Sequence, residues 1–162
     1  MSTHLVVACL LALLPISEVR GAIPYVMVSA GGTPLAFLGV VISVLCNMLV
    51  PLIAYTLLDL LDALMKSRLA PRFVRRLYSW LLDLGRKRAL SIRKESYIAL
   101  TLFVGVPLPA TGAWTGSLVA YVLGLERRKA VFAIELGVLI ASVIVFVVAY
   151  FGIEVLSTLF LE

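Results

Sequence analysis

Residues 106–117, V-P-L-P-A-T-G-A-W-T-G-S, interrupt a stretch of chain otherwise apolar enough for a bilayer. A matching interruption, P-I-S-E-V-R-G-A-I-P at 15–24, breaks the first hydrophobic stretch. Proline removes a helix donor and its ring clashes with the preceding turn, so neither patch continues a regular helix. The flanks 97–106 and 118–124 are nevertheless too apolar for a surface loop. Each patch therefore reads as the tip of a hairpin that enters the bilayer, breaks near its middle and leaves by the same side. Helices broken at membrane depth persist only where the freed backbone groups face protein or a water-filled cavity. Both breaks are thus candidate binding sites.

Composition supports the membrane reading. Of 162 residues, 62% are hydrophobic and 14% charged, where a soluble domain is about half apolar and a quarter charged. An all-α integral membrane protein follows. So small a chain has few helices with which to enclose a path, and a homodimer is expected. Ten of the 14 Lys/Arg lie between Lys66 and Lys94, and three more form Arg127-Arg128-Lys129. Such clustering fits the positive-inside rule better than a nucleic-acid stripe, so both clusters are expected to be cytoplasmic. Cys9 and Cys46 show no metal-ligand spacing and read as buried, inert thiols rather than as a disulfide. A single histidine, His4, gives no support to histidine-based metal or nucleophile chemistry. Residues 5–14 resemble a signal-peptide core, but no Lys or Arg precedes them, so the segment is expected to be retained.

The chain divides accordingly. Residues 4–34 form the first hairpin, with an unwound elbow at 16–21 and a return helix from Ala22 in which Pro24 falls in the first turn. Residues 35–65 form a transmembrane helix kinked by Pro51, with Asp59 and Asp62 read as acids facing the basic loop in preference to a functional role. Residues 66–94 alternate apolar and basic positions at helical spacing and form an amphipathic connector that lies on anionic lipid headgroups. Residues 97–124 form the second hairpin, 130–151 the second transmembrane helix, and 152–162 a short tail. With both basic clusters on one side, segment 97–124 has to enter and leave by the same face, whereas the first hairpin dips in from the other. Hairpin plus span, twice and in opposite orientation, is an inverted repeat of the kind transporters use. Pro15, Gly21-Ala22 and Gly31 of the first half echo Pro107, Gly112-Ala113 and Gly124 of the second.

Glu18 and Arg20 are the sharpest pair of candidates. A charge at the bilayer centre costs at least ~2.5–3.5 kcal/mol on insertion scales, so it needs a partner or a role. The plain alternative is a mutual ion pair closing the hairpin. In the functional reading, Glu18 carries a proton and Arg20 holds an anion or tunes Glu18. Gly21 and Pro24 complete that elbow. In the other, Pro107 and Pro109 free upstream carbonyls, while Thr111, Gly112, Thr115 and Gly116 leave amides and hydroxyls at a helix start. Such an N-terminus attracts an anionic group, or Glu18 itself when empty. Trp114 can pack against substrate or merely fill space. Glu135, two turns into the last span, is either a second protonatable group or an acid reaching toward Arg127 to Lys129. Neither catalytic nor metal residues are expected, nor any cofactor.

At these elbows the chain resembles the small multidrug export protein family, short prokaryotic membrane proteins. The residues concerned are Glu18-x-Arg20-Gly21-x-Ile23-Pro24 and Pro107-x-Pro109-x-Thr111-Gly112-Ala113-Trp114-Thr115-Gly116. More distantly it is similar to the DedA/VTT superfamily. That kinship implies facing re-entrant hairpins, proton-linked transport or lipid movement, and Glu18 and Arg20 as the functional charges, in a prokaryotic plasma membrane. A longer acidic motif of DedA proteins has no counterpart here. The expectation is a non-enzymatic, proton-coupled transporter moving an anionic or amphipathic small molecule through a midplane site. A lipid scramblase and a non-transporting membrane scaffold are the rivals.

Overall fold

The computed structural model describes residues 2–30, 34–66, 71, 73, 76, 78–80, 93–108 and 111–161. Seven helices have described bounds, α1 (Ser2–Leu13), α2 (Glu18–Ser29), α3 (Pro34–Met48), α4 (Val50–Lys66), α5 (Arg93–Gly105), α6 (Ala113–Val122) and α7 (Arg127–Leu161), and residues 73, 76 and 78–80 are helical as well. All regular structure among the described residues is helical. Most of the 66–94 connector and all of Pro109 lie outside them. Of the connector, Phe73 and Trp80 are exposed apolar side chains.

Helix length separates two kinds of element. The runs Pro34–Met65 and Arg127–Gly152, of 32 and 26 residues, are long and apolar enough to cross a bilayer. By contrast, α1 and α2 have 12 residues each and α6 has 10. At 1.5 Å per residue these are only about 15–18 Å long, roughly half of a ~30 Å hydrocarbon core. The first long run breaks at Leu49, where Pro51 has no N–H for the carbonyl of Asn47 and the Leu49 amide tightens onto Cys46 at 3.2 Å. No proline interrupts the second, and the expected tail continues α7 to Leu161.

Two details differ from the sequence reading. The return helix of the first hairpin begins at Glu18 rather than Ala22, so Glu18 and Arg20 sit in a helical turn and Pro24 lies inside the helix. The chain turns over residues 14–17, and Glu18 at the start of α2 takes a left-handed conformation, φ 47°. Cys9 and Cys46 form a disulfide, Cα–Cα 5.6 Å, instead of remaining thiols. They come from α1 and α3, which pack face to face, a relation that a 37-residue separation does not disclose.

Packing follows the same two-part plan. Helices α1 and α2 lie on α3, while α5 and α6 lie on α7; the halves are joined by α2 on α7, α6 on α4 and α3 on α7. Small residues permit close approach. Gly39 of α3 receives Val26, and Gly137 of α7 receives Val104 and the Thr101 backbone, leaving no space for a Cβ at either. Close contact of this kind drives helix association where lipid is as apolar as the side chains. The inward face of α7 carries Ala130, Ala133, Ile134, Val138 and Ala141, all buried, whereas Phe132, Leu136, Val143 and Val148 are exposed. A helix apolar on its outer face as well belongs in lipid.

Candidate functional site: two elbows that complete each other

The turn between α1 and α2 abandons carbonyls that water would satisfy in a soluble protein. Here the last four of α1 are all accounted for. The Leu14 amide bonds the carbonyls of Leu10 and Leu11, at 3.2 and 3.3 Å. Ser17 Oγ also donates to Leu11, Asn47 Nδ2 of α3 donates to Ala12 at 2.7 Å, and Trp114 Nε1 of α6 donates to Leu13 at 3.0 Å. The first elbow is therefore closed by its own serine, by the adjacent long helix and by the second elbow.

The second elbow is completed from the first. The Glu18 carboxylate, 4% exposed, accepts the amides of Ala113 at 3.2 Å and Trp114 at 3.3 Å. These are the first donors of α6, where free N–H groups and the helix dipole favour an anion. Arg20 donates through Nη1 to the carbonyl of Leu108 and through Nη2 to Thr111 Oγ1 at 3.1 Å. Thr111, so engaged, has its own hydroxyl within reach of the Val106 and Leu108 carbonyls, at 2.8 and 2.9 Å. Acid and base thus each reach across to the other hairpin, and no Glu18–Arg20 ion pair occurs among the described residues. The two charges differ in exposure, Glu18 being buried and Arg20 only partly so.

Of the residues expected at the site, Glu18, Arg20, Thr111, Gly112 and Trp114 converge. Gly112 is extended, φ −88°, and its role is space, because a Cβ there would overlap the Glu18 carboxylate. Gly21 packs on Ser17 within its own elbow, and Gly116 lets Val104 of α5 approach. Pro24 lies further along α2, and Pro107 is half-buried at the end of α5. Pro109 falls outside the described residues. Glu135 is half-buried in α7, and no described hydrogen bond or ion pair links it to either elbow. Asn47 and Ser17 emerge as supporting residues. A lone asparagine in an apolar span was a readable signal for the first, whereas the second had none.

Thr115 has a different place, on the wall of an open cavity of about 300 Å³ between α4 and α6. Ala54, Leu58 and Leu61 face Trp114, Thr115 and Leu118 across it. One residue, Trp114, therefore both donates its amide to the buried carboxylate and lines this apolar cavity. Near the far end of α4, Asp59 pairs with Arg127 at 2.9 Å, so that acid meets the second basic cluster. Arg127 also lies over the Tyr55 ring, 5.0 Å from its centroid.

Fold and site together define an all-helical membrane protein in which two helix–break–helix units are joined through buried charge. The chain belongs to the family described as "Putative small multi-drug export protein", whose model matches residues 18–144. That span opens on Glu18 and takes in α2, the second elbow, all of α3 and α4 and the first half of α7. No curated protein and no solved structure matches the chain.

Proposed function

We propose that this protein is a proton-coupled transporter, homodimeric in a prokaryotic plasma membrane, that moves an anionic or amphipathic small molecule between two re-entrant hairpins. Four observations support the inverted, re-entrant arrangement. The hairpin arms α1, α2 and α6 are about half a bilayer long. Each hairpin packs on the long helix that follows it. The second arm of each also reaches the long helix of the other half, α2 on α7 and α6 on α4. Basic clusters flank the second hairpin at both ends.

The observation that carries the mechanism is the Glu18 carboxylate on the amides of Ala113 and Trp114. A carboxylate there is the anion that the start of α6 demands. Protonation removes its charge and weakens both bonds, leaving two amides and Arg20 facing the break. A substrate's anionic group then takes the same donors while its apolar part rests against Trp114 and the α4–α6 cavity. Proton and substrate consequently favour one state of the protein, and deprotonation returns the carboxylate to evict the substrate. Coupling of this kind requires only that each ligand bind the two states unequally. The family description fits a small-molecule exporter of this sort.

Glu18→Gln mimics the protonated acid. In proteoliposomes, flux of an anionic amphiphile should lose its dependence on a pH gradient in this variant while the protein stays folded. Gradient-driven flux equal to that of the unaltered protein would remove Glu18 from the mechanism.

A further inference from the structure

A second groove, of about 430 Å³, lies between α5 and the start of α7, away from the elbows. Its walls include Ile98, Phe132 and Leu136, and Tyr97, Arg128 and Lys129 surround its mouth. The floor offers no idle donor, because the Thr101 hydroxyl lies against the carbonyls of Tyr97 and Ala133, at 3.1 and 3.0 Å. The mouth is different. Lys129 pairs with Glu126 at 2.5 Å, and Arg128 makes no ion pair among the described residues. Two cations less one anion leave +1, while Arg127 is neutralised separately by Asp59. The Tyr97 hydroxyl accepts the Glu126 amide at 3.1 Å, which leaves its own proton to donate. These groups also surround the positive end of α7.

Depth decides what such a groove can hold. The crossing part of α7, Arg127–Gly152, has 26 residues and is about 39 Å long, more than a ~30 Å hydrocarbon core. Arg128 and Lys129 therefore stand at headgroup level. Leu136, eight residues on, is about 12 Å deeper, among the acyl chains. A soluble anion would satisfy the cations and leave the apolar walls bare; a neutral lipid would do the reverse. We propose that this groove is a binding site for one anionic phospholipid, its phosphate held by Arg128, Lys129 and the Tyr97 hydroxyl and one acyl chain lying along Ile98, Phe132 and Leu136. Attraction of basic residues to anionic lipid at this level is the expected electrostatic contribution.

The test is local quenching. A Phe132→Trp reporter in a Trp80→Phe background, with the same protein lacking the reporter as blank, is reconstituted in vesicles containing brominated phosphatidylglycerol or brominated phosphatidylcholine. Phosphatidylglycerol should quench the reporter with an apparent affinity on the order of tenfold higher. Arg128→Gln with Lys129→Gln should bring the two lipids to parity; both side chains are exposed, so the fold is retained. Millimolar inorganic phosphate should leave the preference intact. Parity in the unaltered charges, a preference that survives the double substitution, or its loss to free phosphate would each overturn the proposal.

Discussion

The Glu18 carboxylate fills the volume that a Cβ on residue 112 would need, so α6 can begin against it only from glycine. Gly112→Ala should expel the carboxylate from the amides of Ala113 and Trp114. Hydrogen bonds to a charged group contribute about 1.5–3 kcal/mol each and are not fully additive, so a loss of about 2–3 kcal/mol is expected. Unfolding in a mixed-micelle denaturant titration reads it. An alanine variant of undiminished stability would mean that the carboxylate lies elsewhere.

Glu18 also bears backbone strain, since φ 47° is costly for any residue with a Cβ. Both Glu18→Ala and Glu18→Gly remove the carboxylate, but only glycine relieves the conformation. The glycine variant should be more stable than the alanine variant by about 1–2 kcal/mol. The opposite order in the same titration would contradict a left-handed residue 18.

Trp114→Phe keeps most of the ring but removes the donor that satisfies the carbonyl of Leu13. Hydrogen bonds between membrane helices average about 0.6 kcal/mol and reach about 1.7 kcal/mol. A loss within that range is expected, with the Leu13 carbonyl band in isotope-edited infrared spectra moving toward a free amide. An unshifted band would exclude the contact.

The Cys9–Cys46 disulfide ties the first hairpin to α3 across 37 residues. Loop-closure entropy for that separation corresponds to about 2–4 kcal/mol. Denatured protein should take up no maleimide label before reduction and two per chain afterwards. Reduction should lower the unfolding midpoint; unchanged stability would place the disulfide in a segment that unfolds independently.

Asp59 and Arg127 join α4 to the start of α7, but both are half-exposed, so solvent limits the pair to about 0.2–1 kcal/mol. A double-mutant cycle with Asp59→Asn and Arg127→Gln should return a coupling energy in that range. A value near zero would reduce the bridge to coincidence.

Much of the architecture was legible because proline, glycine and charge act locally. Pro15, Pro107 and Gly112 mark where helices cannot continue, and their neighbours are strongly apolar. Glu18 and Arg20 stood out because charges in so apolar a stretch need a partner. The partner's identity was not legible. Ala113 and Trp114 offer backbone amides, which every residue possesses, and Leu13 and Leu108 offer backbone carbonyls. Nor was the start of α2 at Glu18, which depends on one residue accepting φ 47° in exchange for contacts 95 residues away.

Sequence alone determined that the protein is helical, that it belongs in a bilayer and near which prolines its helices break, because hydropathy and backbone chemistry are properties of short segments. Tertiary structure decided that Glu18 faces the start of α6, that Arg20 crosses to the second elbow and that Cys9 meets Cys46. Those relations arise from which helix faces pack together, and packing depends on residues distant in the chain. Helix periodicity specifies a face; only the assembled bundle specifies what that face meets.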